Sequence, residues 1–282
     1  MIEYWIIEPS DHRQQWQRRK LAEFLPQVRW ARSLEEVARE VRAPDGPQNI
    51  RAIRGVIFSN ELLDSMPVHR LAWDAEQSVW FEWGVTAFDG RLQWTRLTGK
   101  QSELRLQNLG PKTKPEGQTP FSLMAHRWPA ELLRALPDGF VLEVCPEADR
   151  WWAQAAAIFE TGKLLTLDYG FSEQDQIAPE RAGGTLRSYY RHQPSTDVLA
   201  NPGQQDITAH VDFSTLRAVG EQAGLKTDAL VTQERFLTRV ASRALDEKLS
   251  FGPWTAERKR QFRTLTHPNH LGHAFRVLVQ SR

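Results

Sequence analysis

The densest run of reactive side chains is Asn60-Glu-Leu-Leu-Asp-Ser-Met-Pro-Val-His69, which places an amide, two carboxylates, a hydroxyl and an imidazole directly after the apolar run Gly55 to Ser59. Polar groups massed directly after a buried strand are a site pattern, because ligands of a parallel sheet lie beyond its strand ends. The same segment also suits a helix cap followed by a solvated first turn. A second acid, Asp168, ends the apolar run Lys163 to Leu167 and is followed by Tyr169 and Gly170, where the glycine would permit a sharp turn that points acid and phenol into a crevice. His210 and Asp212 lie two apart and share a face if the segment is extended. Glu8 ends a third short apolar run, Tyr4 to Ile7, just ahead of Pro9-Ser10-Asp11. A carboxylate there can accept both hydroxyls of a ribose, and serves equally well as a helix cap or ion-pair partner.

These acids need a sheet whose strands end together. In an open parallel sheet, ligands lie beyond the carboxyl ends of the strands, which is where Glu8, Asn60 with Glu61 and Asp64, and Asp168 with Tyr169 fall. The elements predicted to carry them alternate. A strand at Tyr4 to Ile7 precedes a helix to about Leu25, and a strand at Val28 to Arg32 precedes a helix opened by the capping box Ser33 to Glu36. A strand buried on both faces at Gly55 to Ser59 follows. From His69 to about Leu106 the apolar period changes to two, with Trp73, Trp80, Trp83 and Trp94 alternating with polar residues, which predicts an antiparallel insertion with packed tryptophans. Helices are expected at Trp128 to Leu136, at Trp151 to Ile158 ended by Gly162, at Ser214 to Ala223 and at Arg235 to Asp246. Strands are expected at Phe140 to Val144, Lys163 to Asp168, Asp228 to Thr232 and Ala274 to Val279. Gly170 to Gln205 reads as a long connection with one short strand near Thr185 to Tyr190. The whole predicts an α/β chain with a mostly parallel sheet.

Composition narrows the chemistry. In 282 residues, 36 Lys and Arg face 35 Asp and Glu, so no global field draws in nucleic acid or a membrane surface, and the run Glu257 to Arg263 reads as a solvated helical face. The single cysteine, Cys145, excludes an intramolecular disulfide and a multi-thiolate zinc site and suits a reducing compartment. His267, His270 and His273 have helical spacing but no companion acids, so no metal is expected. No Gly-x-Ser-x-Gly elbow supports a serine hydrolase. Without a leader-like start or a long apolar run, the expected location is the cytoplasm.

At these residues the chain resembles the MidA-like methyltransferases, whose mitochondrial members assist respiratory complex I assembly and methylate an arginine of a core subunit. Asn60 to Val68 resembles the family's Asn-Glu-Phe-Phe-Asp-Ala-Leu-Pro-Val block. Leu167 to Gly170 resembles its Asp-Tyr-Gly strand end. Gly184 to Arg191, Asp206 to Phe213 and Leu271 to Leu278 follow in family order. The resemblance implies a class I S-adenosyl-L-methionine (SAM) methyltransferase with a Rossmann-like sheet and SAM as cofactor. It implies Glu8 on the cofactor ribose, Arg32 and Ser33 near the adenine, and Asn60 near the methionine end. Glu61, Asp64, Asp168, Tyr169, His210 and Asp212 would line the acceptor pocket of a protein substrate, for which the resemblance suggests a respiratory-complex subunit. The expected organisation is a partial SAM-binding core at 1–68, an antiparallel insertion at 69–127, and the rest of the core with acceptor-side insertion at 128–282. One departure stands out: none of the 17 glycines forms the family's Gly-x-Gly turn. The first strand and helix of the family's sheet are therefore expected to be missing, as in an amino-terminally shortened chain, leaving apolar surface at the sheet's centre. The alternative expectation is a non-catalytic assembly or binding factor that keeps the fold without its cofactor site.

Overall fold

The computed structural model describes residues 2–41, 53–98, 103–105, 130–172, 175, 177–191, 193–195, 197–249 and 252–282. Its first unit is a pair of parallel strands, β1 (Tyr4–Ile7) and β2 (Val28–Ala31), joined by helix α1 (Asp11–Lys20). Ser10 caps α1 by accepting the Arg13 N–H, and helix α2 (Leu34–Val41) follows β2. The amphipathic spacing of α2 buries Leu34, Val37 and Ala38, and Leu34 joins the main core with Ile57, Leu63 and Trp152.

The main sheet is built on β9 (Phe159–Phe171). Strand β3 (Ile53–Asn60) runs parallel to it, with Asn60 opposite Leu167, and the short β13 (Val211–Asp212) pairs in parallel with its last residues. Strand β15 (Phe275–Ser281) lies antiparallel along β9, and β14 (Lys226–Thr232) lies antiparallel along β15. The mostly parallel sheet expected from the alternation is therefore a mixed one. Spacing of apolar runs reveals strands but not their direction, and the chain returns into the position between β9 and β14. Helices α4 (Pro146–Ala157) and α5 (Phe213–Gln222) cover one face through Trp152, Ala155, Phe213 and Leu216. Helices α6 (Gln233–Asp246) and α7 (Ala256–Thr266) complete the carboxyl-terminal part.

A second sheet is antiparallel: β4 (His69–Asp74), β5 (Val79–Phe88), β6 (Arg91–Arg96), β7 (Glu103–Arg105) and β8 (Val141–Val144), in the order β6-β5-β4-β8 with β7 also on β5. Trp73 and Trp80, 5.4 Å apart, fill its core with Leu71, Leu136, Phe140 and Leu142. Short helix α3 (Ala130–Arg134) precedes β8, and the segment 110–119, whose glycine, proline and lysine content predicts a loop, lies outside the described residues.

Four expectations need correction. Strand β3 is buried on one face only: Ile57 and Ser59 are inside, whereas Val56 is 64% and Phe58 56% exposed, because none of the described residues covers that side. Gly162 does not end a helix, which stops at Ala157; it lies in β9 against Gly55, where a Cβ would come within 1.9 Å of the Gly55 carbonyl oxygen. Gly170 makes no sharp turn either. Strand β9 runs on to Phe171, and Gly170 is bare because the Val211 carbonyl and the Phe213 ring pass where its Cβ would stand. Finally, the connection after β9 folds into a small antiparallel sheet of β10 (Arg187–Tyr190), β11 (Gln193–Ser195) and β12 (Asp206–Thr208).

Candidate active site

The turn after β3 and the end of β9 form one unit. Asp168 is fully buried, and its carboxyl group accepts the N–H groups of Leu63 at 3.0 Å, Asp64 at 3.3 Å and Tyr169 at 2.8 Å. It thereby folds residues 61–64 over the strand end. Glu61, at the bend, takes a left-handed φ of +48° while its N–H bonds the Leu167 carbonyl. Its carboxylate receives the Asn60 amide at 3.3 Å and stands in solvent. Asp64 is 4% exposed. Burial, followed by the neighbouring Glu61 charge, pushes its carboxyl up to about 6. Burial and then Asp64 push Asp168 up to about 7.

The third side of the hollow comes from β13. Ala209 donates its N–H to the Asp64 carbonyl at 2.9 Å, so His210 stands beside the acid turn. The His210 ring lies nearly parallel to that of Tyr169, centroids 6.4 Å apart, and Tyr169 packs on Phe275 at 4.0 Å. Burial, reinforced by Arg181 and Arg187, depresses His210 to about 4. It is therefore neutral at physiological pH, and its surroundings oppose protonation. The Tyr169 phenol is raised, first by burial and then by Glu61 and by Tyr189. Asp212 instead caps α5, accepting from the Ser214 and Thr215 N–H groups and the Thr215 hydroxyl.

The structure thus gathers Asn60, Glu61, Asp64, Asp168, Tyr169 and His210 at one sheet rim and gives Asp212 a helix-capping bond pattern beside them. Glu8, Arg32 and Ser33 sit at the ends of the separate β1-β2 pair. One Glu8 oxygen accepts the Ser10 N–H at 2.9 Å, Arg32 pairs with Asp11, and Ser33 accepts the Glu36 N–H at 3.3 Å while Glu36 reaches back to the Arg32 N–H. Sequence reasoning missed Tyr189, Thr185 and Glu143 as individual residues. Tyr189 and Thr185 fall within the Gly184 to Arg191 block, but nothing in that run tells which side chains turn inward.

Comparison with known proteins identifies the class. Residues 1–231 match the S-adenosyl-L-methionine-dependent methyltransferase family Methyltransf_28, and the chain belongs to that family. It agrees with the MidA-like resemblance, and the cofactor of the family is SAM. Among individual relatives, the chain is 27% identical over 257 residues to the mitochondrial protein arginine methyltransferase NDUFAF7 homolog of Drosophila melanogaster, covering 89% of this chain and 49% of that protein. It is 31% identical over 150 residues to the Rattus norvegicus NDUFAF7, covering 50% and 32%. Two Burkholderia thailandensis crystal structures, each 26% identical, superpose with TM-scores of 0.74 and 0.71 over all of this chain and 67% and 64% of theirs; the second holds S-adenosyl-homocysteine. The chain spans about half the length of the Drosophila relative.

Glu8 gives one oxygen to the Ser10 N–H, and Asn60 stands exposed at the end of β3, so both offer polar groups that a cofactor could use.

Proposed function

We propose that this chain carries the acceptor half of a SAM-dependent protein methyltransferase whose acceptor is an arginine side chain. The observation that supports this most directly is the Glu61-Asp64 acid pair above buried Asp168, beside neutral His210 and Tyr169. Glu61 and Asp64 would bind a guanidinium by charge-assisted hydrogen bonds and hold one nitrogen in line with the methyl group. Bound SAM supplies the electrophilic methyl. As the new C–N bond forms, the nitrogen's proton passes to Asp64, whose carboxyl, pushed up to about 6, can accept it near neutral pH. Glu8 would hold the ribose, with Arg32 and Ser33 toward the adenine and Asn60 toward the methionine end. A respiratory-complex subunit is the acceptor to try first, and the cytoplasm, a reducing compartment, suits free Cys145.

The finer reading of the fold is also a proposal. Strands β1 and β3 belong to different sheets, and Val56 and Phe58 of β3 stand exposed. We propose that a further parallel strand with a glycine-rich turn fills this gap in the working enzyme. The open gap equally favours a second reading, a binding factor that recognises the same cationic segment without transferring a methyl group. Isothermal calorimetry with S-adenosyl-homocysteine, on this chain alone and joined to such a strand, separates them. Binding only by the joined form, with arginine methylation seen by mass spectrometry, supports the enzyme. No binding by either folded protein sinks it.

A further inference from the structure

The antiparallel sheet could be an ornament beside the site, but one of its side chains reaches the site's backbone. Glu143 lies on β8 opposite Arg70 of β4, and its side chain is only 3% exposed. One oxygen, Oε2, accepts both the N–H and the hydroxyl of Thr185, at 2.8 and 3.1 Å. The Thr185 Oγ in turn accepts the backbone N–H of His210 at 3.0 Å. The other Glu143 oxygen faces the Arg70 guanidinium at 3.7 Å, while Arg70 also donates to the Gly183 carbonyl at 2.9 Å. Between these anchors Gly184 adopts φ +83°, and a Cβ there would come within 2.2 Å of Glu143 Oε1. The turn is pressed onto the carboxylate so closely that only glycine fits.

From Thr185 the chain of contacts enters the site. His210 receives its backbone position from Thr185, its neighbour Ala209 is tied to the Asp64 carbonyl at 2.9 Å, and the imidazole Nδ1 is sealed from solvent. Two hydrogen bonds from adjacent amides, one to Thr185, itself held by Glu143 of β8, and one to the acid turn, thus set the ring against Tyr169. Glu143, Cys145, His210 and Asp212 border a cavity of about 40 Å³. That is far below the roughly 300 Å³ at which small-molecule sites begin. Glu143 therefore does not meet a substrate from this side and acts only through its neighbours.

We propose that Glu143 and Thr185 are positioning residues for His210, so that the antiparallel sheet sets the geometry of the acceptor pocket. The proposal rests on His210 lining that pocket, as in the function proposed above. Deleting one hydroxyl breaks the link without removing the carboxylate, and Thr185→Val does this at nearly constant volume.

The test uses the full chain labelled with ¹⁵N and follows exchange of single backbone amides. Thr185→Val is expected to speed exchange at His210 by roughly tenfold, the worth of one net hydrogen bond. Ala209 should stay as in the parent protein, and Thr185→Ser, which keeps the oxygen, should restore His210. Glu143→Ala should loosen His210 as well, and combining it with Thr185→Val should add nothing further, because both act through one link. If Glu143→Ala does not fold, the Thr185 pair decides alone. Unchanged His210 exchange in Thr185→Val, or equal loosening of Ala209, overturns the proposal. Where methyl transfer is measurable, Thr185→Val should lower kcat by roughly tenfold and leave the KM for SAM unchanged. Absence of transfer in the form joined to the further strand would refute the proposed function while the exchange experiment still judged this one.

Discussion

At the scale of single residues, the acid turn sets stability against chemistry. Asp64 and Asp168 hold protons in the folded chain that they release on unfolding, since burial raises them to about 6 and about 7 from 3.8. The folded state thus binds more protons than the unfolded one between about pH 4 and pH 7, so the pair's contribution to stability falls as pH rises through that window and is flat above it. His210 works the other way: depressed to about 4 from 6.5, it removes stability as pH falls across that range. Asp64→Asn removes one buried acid. We expect it to gain on the order of 2 kcal/mol at pH 8 relative to the parent and almost nothing at pH 4, seen as a Tm difference that grows with pH. Methyl transfer should meanwhile fall by roughly a hundredfold. Equal Tm shifts at both pH values would contradict the burial of this carboxyl. Glu61 offers a parallel case, because its φ of +48° is strained for any residue but glycine. Glu61→Gly should stabilise the fold by up to about 1 kcal/mol in denaturant titration, while raising KM for a cationic acceptor.

At the scale of elements, the site depends on how closely β13 approaches β9. A Cβ on Gly170 would lie 2.3 Å from the Val211 carbonyl oxygen and 2.6 Å from the Phe213 ring, and neither can yield without moving His210. Gly170→Ala should cost about 2–3 kcal/mol and abolish activity, whereas Gly183→Ala, whose Cβ meets nothing within 4 Å, should leave unfolding unchanged. The same contrast shows what a sequence can carry. The period-two tryptophans of β4 to β6 and the acids at strand ends were readable because each depends on local spacing. The Gly170 contact was not, because its partners lie some forty residues on; in isolation the glycine suggests a turn. Glu143 was unreadable for a like reason, since its partner Thr185 is 42 residues away and the carboxylate sits in an ordinary strand pattern. Of the small sheet, β10 was expected near Thr185 to Tyr190, whereas β11 and β12 were hidden by the surrounding glycines and prolines, which suggest loop until the register of Arg187 with Thr208 is known.

At the scale of the whole molecule, the decisive feature is the opening between its two sheets with parallel strands. Among the described residues, β1 pairs only with β2 and β3 only with β9, so each presents an edge without a described partner. Beside those edges Tyr4 is 60%, Val56 64% and Phe58 56% exposed. Unpaired edges with apolar neighbours invite another strand, from a further segment or from a second copy. The chain alone should therefore associate as its concentration rises. Phe58→Lys places a charge where the side chain already meets water, so it should cost little folding stability yet reduce association in sedimentation velocity. Ile57→Lys, one position along, puts the charge into the core with Leu63 and Trp152 and should prevent folding. If Phe58→Lys unfolds the chain as Ile57→Lys does, the β3 face is covered and the gap does not exist. If it folds but associates as before, the sticky surface lies elsewhere, and a strand supplied to the gap would have no reason to restore cofactor binding.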